Sequence, residues 1–348
     1  MSMNNPGVVG KQRATIRDVA ALAGVGIKTV SRVINHEDNV SPQMRERVQR
    51  AVVALNFKPN QGAGALRRGD RKTLTLGLLL DAVDNPFSAA INRAVEVVAS
   101  DRYTAVFAAS FGDDPDRERT LVDAFTRRRV DGLILTTITP DHGYLQTERE
   151  QGTPIVFVDR PPVGLLADAV LSDNYEASVA ATRHLLDQGH RRIAHLSDEL
   201  TISTARERSR GFEDAIRSTM DAPGARAWHE HNLRTDGEAR EAVHRLMTEP
   251  EPPTALFASQ NLVSVGAIRA LHELGLQHEV ALVGFDDLLL ADMLQPAVTV
   301  MAQNPTRMGT IAAERAFARL DGDPSPVDTI IVPATLVIRG SGEIPPRS

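Results

Sequence analysis

The sequence predicts an α/β protein in two parts: a small all-α head and a much larger body built on parallel β-sheet. Three observations lead there. A helix–turn–helix pattern, TIRDVAALAGVGIKTVSRVIN, runs from Thr15 to Asn35. Charge divides along the chain: residues 1–72 hold 13 Lys and Arg against 5 Asp and Glu, whereas the remainder holds 26 against 40. From Thr73 onward, short apolar runs alternate with amphipathic stretches of helical period, the pattern of parallel strands covered by helices on both faces.

In the head, Thr15 with Asp18 three residues on reads as a capping box for a helix that ends at Ala23. Gly24 makes the turn, and residues 27–35 form a second helix. On a helical wheel Val30, Val33 and Ile34 share one arc, while Lys28, Thr29, Ser31, Arg32 and Asn35 fill the rest. The apolar arc must pack on the first helix. Lys28, Thr29 and Arg32 therefore project from the N-terminal half, the part of such a motif that meets base edges in the major groove. A plain helical hairpin with a solvated polar face would have the same wheel. The basic head on an acidic body distinguishes the two, because phosphate contact needs clustered cations and an acidic body is repelled. A third helix starts with Ser41 as N-cap and Pro42 at its first position, and Met44, Val48, Val52 and Leu55 close a three-helix core. Residues 14–59 are thus read as a DNA-binding unit. Residues 60–72 form a basic connector with one large apolar residue, Leu66.

The body reads as strands at 74–80, 105–109, 132–136, 155–158, 193–196, 255–258 and 281–285, with helices between most of them. One more helix at 306–320 and a final strand near 330–338 close the chain. Ligands of such sheets sit beyond the carboxyl ends of the strands, so the loops at 81–88, 159–160, 197–208, 259–262 and 285–289 are the expected pocket walls. The absence of cysteine among the 348 residues excludes disulfides, thiolate metal sites and a cysteine nucleophile. Aromatics make up 4% with Trp228 the single tryptophan, which argues against a site of stacked rings. No apolar stretch approaches about 18 residues and no signal-peptide core is present, so a cytoplasmic protein is expected. No P-loop, GxSxG or HExxH occurs, so neither an enzyme nor a cofactor is expected. His229-Glu230-His231 is read as three consecutive polar residues that do not converge on a metal.

The head motif, LGLLL and NPF within 76–87, VDGLI at 130–134, QGHRRIAHL at 188–196, STARERSRGF at 203–212 and VALVGFDD at 280–287 together resemble the LacI/GalR (lac repressor) family of bacterial transcription regulators. The resemblance covers residues 14–339. It implies a homodimeric repressor of a palindromic operator, with a helix-turn-helix head, a hinge helix and a periplasmic-binding-protein-like two-lobed core of two doubly wound parallel sheets. The lobes would be residues 73–172 with 303–329, and 173–302 with 330–340, joined by crossovers near 171–174, 300–304 and 328–331. Residues 73–340 would form the effector-binding and dimerisation core.

The same resemblance assigns residues. Lys28, Thr29 and Arg32 would read bases, with Arg32 suited to guanine; Thr15, Ser31 and Asn35 would touch the DNA backbone. Gly26 stands where members commonly have a capping serine, at a cost of a few tenths of a kcal/mol. Leu66 matches the leucine that wedges into the minor groove, with Arg67 beside it. Gly62 and Gly64 each cost a helix about 1 kcal/mol, so the hinge is expected to be helical only on DNA. Phe87, Ser88, Thr204, Arg208, Leu233, Gln260 and Asp286 match effector-binding positions. Ser88 and Leu233 stand where aromatics are usual and Gln260-Asn261 where Asn-Asp is usual. A sugar is the default effector, with a sugar phosphate, sugar acid, nucleoside or no ligand left open. The alternatives are a ligand-independent or activating regulator, or a solute-binding protein without DNA activity. The tail at 340–348 has no heptads, so a dimer is expected rather than a tetramer.

Overall fold

The computed structural model describes residues 14–34, 37, 39–58, 73–217, 219 and 221–347. Asn35 and the connector at 60–72, with Leu66 and Arg67, lie outside the described residues. Head and body form two compact units that divide after Thr73.

The head holds helices α1 (Ile16–Ala23), α2 (Ile27–Ile34) and α3 (Pro42–Ala54). Thr15 and Asp18 form the reciprocal capping box, with the Thr15 amide donating to the Asp18 carboxylate at 2.7 Å. Gly24 takes a left-handed φ of 62° to end α1, a conformation that costs glycine least. Val19, Val30, Val33 and Val48 make the small core. On α3 the inward residues are Val48 and Ala51, whereas Met44 is exposed. Val52 and Leu55 also pack against this core, so Met44 alone departs from the expected stripe.

The body begins with a lobe containing β1 (Thr75–Leu80), α4 (Pro86–Asp101), β2 (Ala105–Ser110), α5 (Pro115–Arg127), β3 (Gly132–Leu135), the short α6 (Gln146–Glu150), β4 (Ile155–Val158) and β5 (Asp168–Ser172). A second lobe follows with α7 (Asn174–Asp187), β6 (Arg192–Leu196), α8 (Ser203–Arg217), β7 (Arg226–Glu230), α9 (Asp236–Leu246), β8 (Ala255–Ala258), α10 (Asn261–Glu273), β9 (Ala281–Phe285) and β10 (Thr299–Ala302). Helix α11 (Pro305–Leu320) and β11 (Thr329–Val332) return to the first lobe, and β12 (Thr335–Val337) closes the second. The sheets run β11-β5-β4-β3-β1-β2 and β12-β10-β9-β8-β6-β7.

The central strands of each sheet are buried on both faces, which explains why they read as continuous apolar runs. In the first lobe Leu76, Leu78, Val156 and Val170 face α4 and α11, while Leu79, Leu133, Leu135 and Phe157 face the opposite side with Phe125 of α5. In the second, Leu196, Leu256 and Leu282 meet α9 and α10, and Ile193, Phe257 and Val283 meet α7 and α8. Helices cross closely where glycine permits: a Cβ on Gly309 of α11 would lie 2.7 Å from the Ile91 carbonyl of α4.

Two expectations change. The third crossing lies at 333–334, not 328–331, because Ile330, Ile331 and Val332 pair with Val170, Leu171 and Ser172 in the first sheet. Pro333 divides what the sequence reads as one strand, since proline cannot continue a ladder. The second lobe's final segment therefore starts after residue 332, not at 330. β12 is antiparallel to β10, so one edge of that sheet departs from a wholly parallel arrangement. Strands β5, β7 and β10 are not among those the sequence predicts; in β5 and β10 the apolar run is only three residues, 169–171 and 300–302. β7, RAWHE, is an edge strand with exposed Arg226 and His229.

Asp168, at the start of β5 and 3% exposed, ties α11 to the first lobe. Its carboxylate accepts hydrogen bonds from Arg315 at 3.0 Å, from Arg319 at 2.7 and 3.0 Å, and from the Asp328 amide at 3.0 Å. Burial alone would raise its pKa, but the bonds from Arg319, the amide and Arg315 prevail and hold it below the usual carboxylate value. A depressed folded pKa stabilises above the unfolded value of about 3.9, and the benefit is lost as pH falls through the folded one. Asp168→Ala should thus cost about 3 kcal/mol at pH 7 by leaving the Arg319 guanidinium without its carboxylate and Arg315 with Asp323 alone. Urea titrations should show the gap narrowing below about pH 4; a gap constant from pH 7 to pH 3 would contradict the ion-pair role.

Candidate functional site

On α2, Val30 and Val33 turn inward while Lys28 and Arg32 are exposed and Thr29 and Ser31 half-buried. The helix starts without a side-chain cap at Gly26, whose carbonyl accepts the Thr29 and Val30 amides. The four polar residues share the outward surface, as the wheel requires. Arg32 Nε lies 3.7 Å from the Glu37 carboxylate. This exposed pair is worth at most about 1 kcal/mol and can be exchanged for another acceptor. Thr15 spends its hydroxyl in the α1 cap.

In the body, the carboxyl ends of both sheets meet across a cleft. Asn85 caps α4 by accepting the Phe87 amide at 3.0 Å, which sets Phe87 in the first turn. Asn85 and Asn261 form a reciprocal amide pair across the lobes, with bonds of 2.8 and 3.3 Å. A second bridge joins Asp113 to Arg234, which also reaches Glu199 at 3.2 Å. Beside the amide pair lies a cleft of ≈ 220 Å³, lined by Phe87, Leu262, Asp286, Leu288 and Gln303 among others.

Arg208 projects from the first turns of α8 and is buried. Its Nε donates to Asn174 at 2.7 Å and a terminal nitrogen to the Ser259 carbonyl at 2.8 Å. Its guanidinium carbon lies 3.8 Å from the centre of the Phe285 ring, a cation–π contact that fixes its plane. Burial pulls its pKa down, with Asp286 and Asp159 opposing. Asp286 follows β9 with a left-handed φ of 64° and accepts from Gln303 at 2.8 Å. Burial pushes its pKa up to about 6 despite the Arg208 charge. From the first lobe, Arg160 donates to the Thr137 carbonyl at 3.1 Å and to Asp81 at 2.9 Å. Burial raises Asp81, Asp159 and Asp198 above the usual carboxylate range.

The structure therefore gathers Phe87 and Asp286 at the cleft and places Arg208 in electrostatic contact with Asp286. Ser88 is buried on the following turn position of α4, and Thr204 is buried at the start of α8. Two expected residues have other occupations. Leu233 packs in the second lobe's core with Trp228 and Ala239. Gln260 caps α10 by accepting the Val263 amide at 2.9 Å, and Asn261 beside it supplies the interlobe contact. Sequence reasoning marked the loops that hold Asp81, Arg160 and Asp198 without naming these residues, noted Asn261 only as a departure from the usual Asn-Asp, and missed Gln303. The available signal was positional: Asp81, Asp159 and Asp286 each directly follow a buried strand. His229 and His231, two apart near the end of β7, share a face and meet His195, with ring centres 5.9 to 6.4 Å apart. The three rings lie close together, but among the described residues no group could hold a metal ion. Nor is any described helix long and apolar enough to cross a membrane.

Residues 15–60 match the family described as bacterial regulatory proteins, lacI family, and residues 182–342 match a periplasmic binding protein-like domain. The HTH-type transcriptional repressor PurR of Mannheimia succiniciproducens is 30% identical over 94% of this chain and 98% of its own length. The ribose operon repressor of Haemophilus influenzae is 31% identical over 94% and 98%. Among solved structures, the lac repressor dimer bound to operator and the anti-inducer ONPF shares the fold with a TM-score of 0.82 at 24% identity, over 95% of this chain and 99% of that one. These relatives regulate transcription and are not enzymes. With its helix-turn-helix head and two-sheet core, the chain belongs to the LacI family of DNA-binding transcriptional regulators.

Proposed function

We propose that this protein is a homodimeric repressor that reads the two half-sites of a palindromic operator and is controlled by a small carbohydrate-like effector held between its lobes. The observation that carries this is a cleft lined by Asp286, with the buried Arg208 of another element within electrostatic reach of that carboxylate. Paired groups of that kind grip hydroxyls by charge-assisted bonds, and a repressor of a ribose operon is among the relatives. Phe87 offers one apolar wall, and Ser88 and Thr204 are taken as further effector-binding positions. Lys28, Thr29 and Arg32 read bases, and Thr15, Ser31 and Asn35 hold the backbone. Leu66 and Arg67 order in the central minor groove, where an apolar wedge unstacks a base step.

Dimerisation is supported by apolar side chains left exposed on the body. Tyr103 and Phe107 of the β2 region are 88% and 45% exposed, and Leu289 and Met293 are 87% and 71% exposed. The lac repressor that shares the fold is a dimer on its operator. The effector acts by preferring one arrangement of the lobes, with a coupling of about 1–3 kcal/mol.

Three substitutions test this reading. Arg32→Ala should lower operator affinity by roughly tenfold or more while affinity for random DNA changes little; equal losses on both in competitive gel shifts would remove its base-reading role. Leu66→Ala should reduce the bend of bound operator, and a circular-permutation assay showing an unchanged bend would eliminate the wedge. Asp286→Asn should retain operator binding and lose the effector response. It should also stabilise the body by on the order of 1–2 kcal/mol at pH 8, because a carboxyl whose folded pKa is raised penalises the fold above its unfolded pKa. Below about pH 3 the carboxyl is protonated in both states and the gain should vanish.

A further inference from the structure

We infer that the effector cleft selects a ligand carrying a protonated amine among its hydroxyls, an amino sugar rather than a phosphorylated or carboxylated one. The inference rests on the effector reading above and concerns the balance of donors and acceptors there. Four strands drawn from both sheets end at aspartates: Asp81 after β1, Asp159 after β4, Asp198 just beyond β6 and Asp286 after β9. They lie within electrostatic range of one another through Arg160 and Arg208: Asp286 senses Arg208 and Asp159, Asp81 senses Arg160 and Asp159, and Asp198 senses Arg160. With Asp113, which both Asp81 and Asp198 sense, and Arg234, which Asp198 senses, five carboxylates face three guanidinium groups.

The cations are also largely spent. Arg160 uses its terminal nitrogens on Thr137 and Asp81, and Arg208 uses two nitrogens on Asn174 and Ser259. Among the described residues, two acceptors here are buried without a hydrogen-bond partner, Asp81 Oδ1 and Gln303 Oε1. Asp159 approaches Arg160 Nε only at 3.7 Å, and that Nε is the one orphaned donor of the group. A buried acceptor without a donor is costly, and so is uncompensated buried charge. An ammonium group brings three donors, no acceptor and one positive charge. A phosphate or carboxylate brings acceptors and more negative charge to a place that already has both in excess. A neutral sugar supplies donors but leaves the charge. Stacking cannot replace these contacts, because Ser88 and Leu233 provide no ring and Phe87 is the aromatic on the cleft wall.

Full-length protein should be titrated calorimetrically at pH 7 with matched sets of glucose, galactose and mannose: the neutral sugar, its 2-amino, N-acetylamino and 6-phosphate forms, and the aldonic acid. The amino form of at least one set should bind about tenfold more tightly than its neutral parent, the effect of one added charge-assisted bond. N-acetylation, which removes the charge, should abolish that advantage. In Asp81→Asn the ratio between amino and neutral forms should fall toward one. Tighter binding of a neutral, phosphorylated or acidic form overturns this inference and leaves a carbohydrate effector standing. Binding of none overturns both.

Discussion

A single hydrogen bond, from the Ala334 amide to the Asp173 side chain at 2.7 Å, sits at the point on which the body depends. Asp173 is the first passage of the chain between lobes and Ala334 belongs to the third; the second runs through Gln303 and Asn304. Interlaced three times, the lobes cannot separate, and a bound ligand can only tilt them about these short segments. Gln303 shows how closely passage and site are joined, because the same side chain donates to Asp286 in the cleft. A ligand that competes for Asp286 must therefore disturb a connecting segment directly, without a long relay through the cores.

The cleft is assembled from groups that weaken the fold. Asp159 and Asp286 hold left-handed φ values of 72° and 64° at strand ends, where aspartate is tolerated better than most residues but still at some cost. Burial raises the pKa of both. Neither feature serves packing, since the four apolar clusters close without them. Strain and uncompensated charge at strand ends are what a binding site retains and a scaffold discards.

This division also explains what the sequence disclosed. The head was legible because its determinants are local: Thr15 caps three residues away, and the α2 wheel needs only its own eight residues. Alternating strands and helices were legible for the same reason. Edge strand β7 was not, because its exposed polar residues break the apolar run, and the single strand read near 330–338 failed at Pro333. The cleft was legible as a set of loops but not as residues. Arg160 matters through Asp81, 79 positions away, and Asn261 through Asn85, 176 away. Leu233 could be aligned with a ligand-wall position, yet only the fold reveals that it fills the core.

The contacts that hold the lobes together have a size suited to switching. The Asn85–Asn261 pair contributes two neutral hydrogen bonds, each worth roughly 1 kcal/mol net. The Asp113–Arg234 ion pair is about one-third exposed on each side, so screening limits it to roughly 1 kcal/mol or less. Their sum is comparable to the coupling of about 1–3 kcal/mol by which effectors bias such equilibria. Far stronger bridges would lock the lobes whatever was bound, and none at all would leave their arrangement unspecified. A ligand of modest preference can shift an interlaced body held in this way.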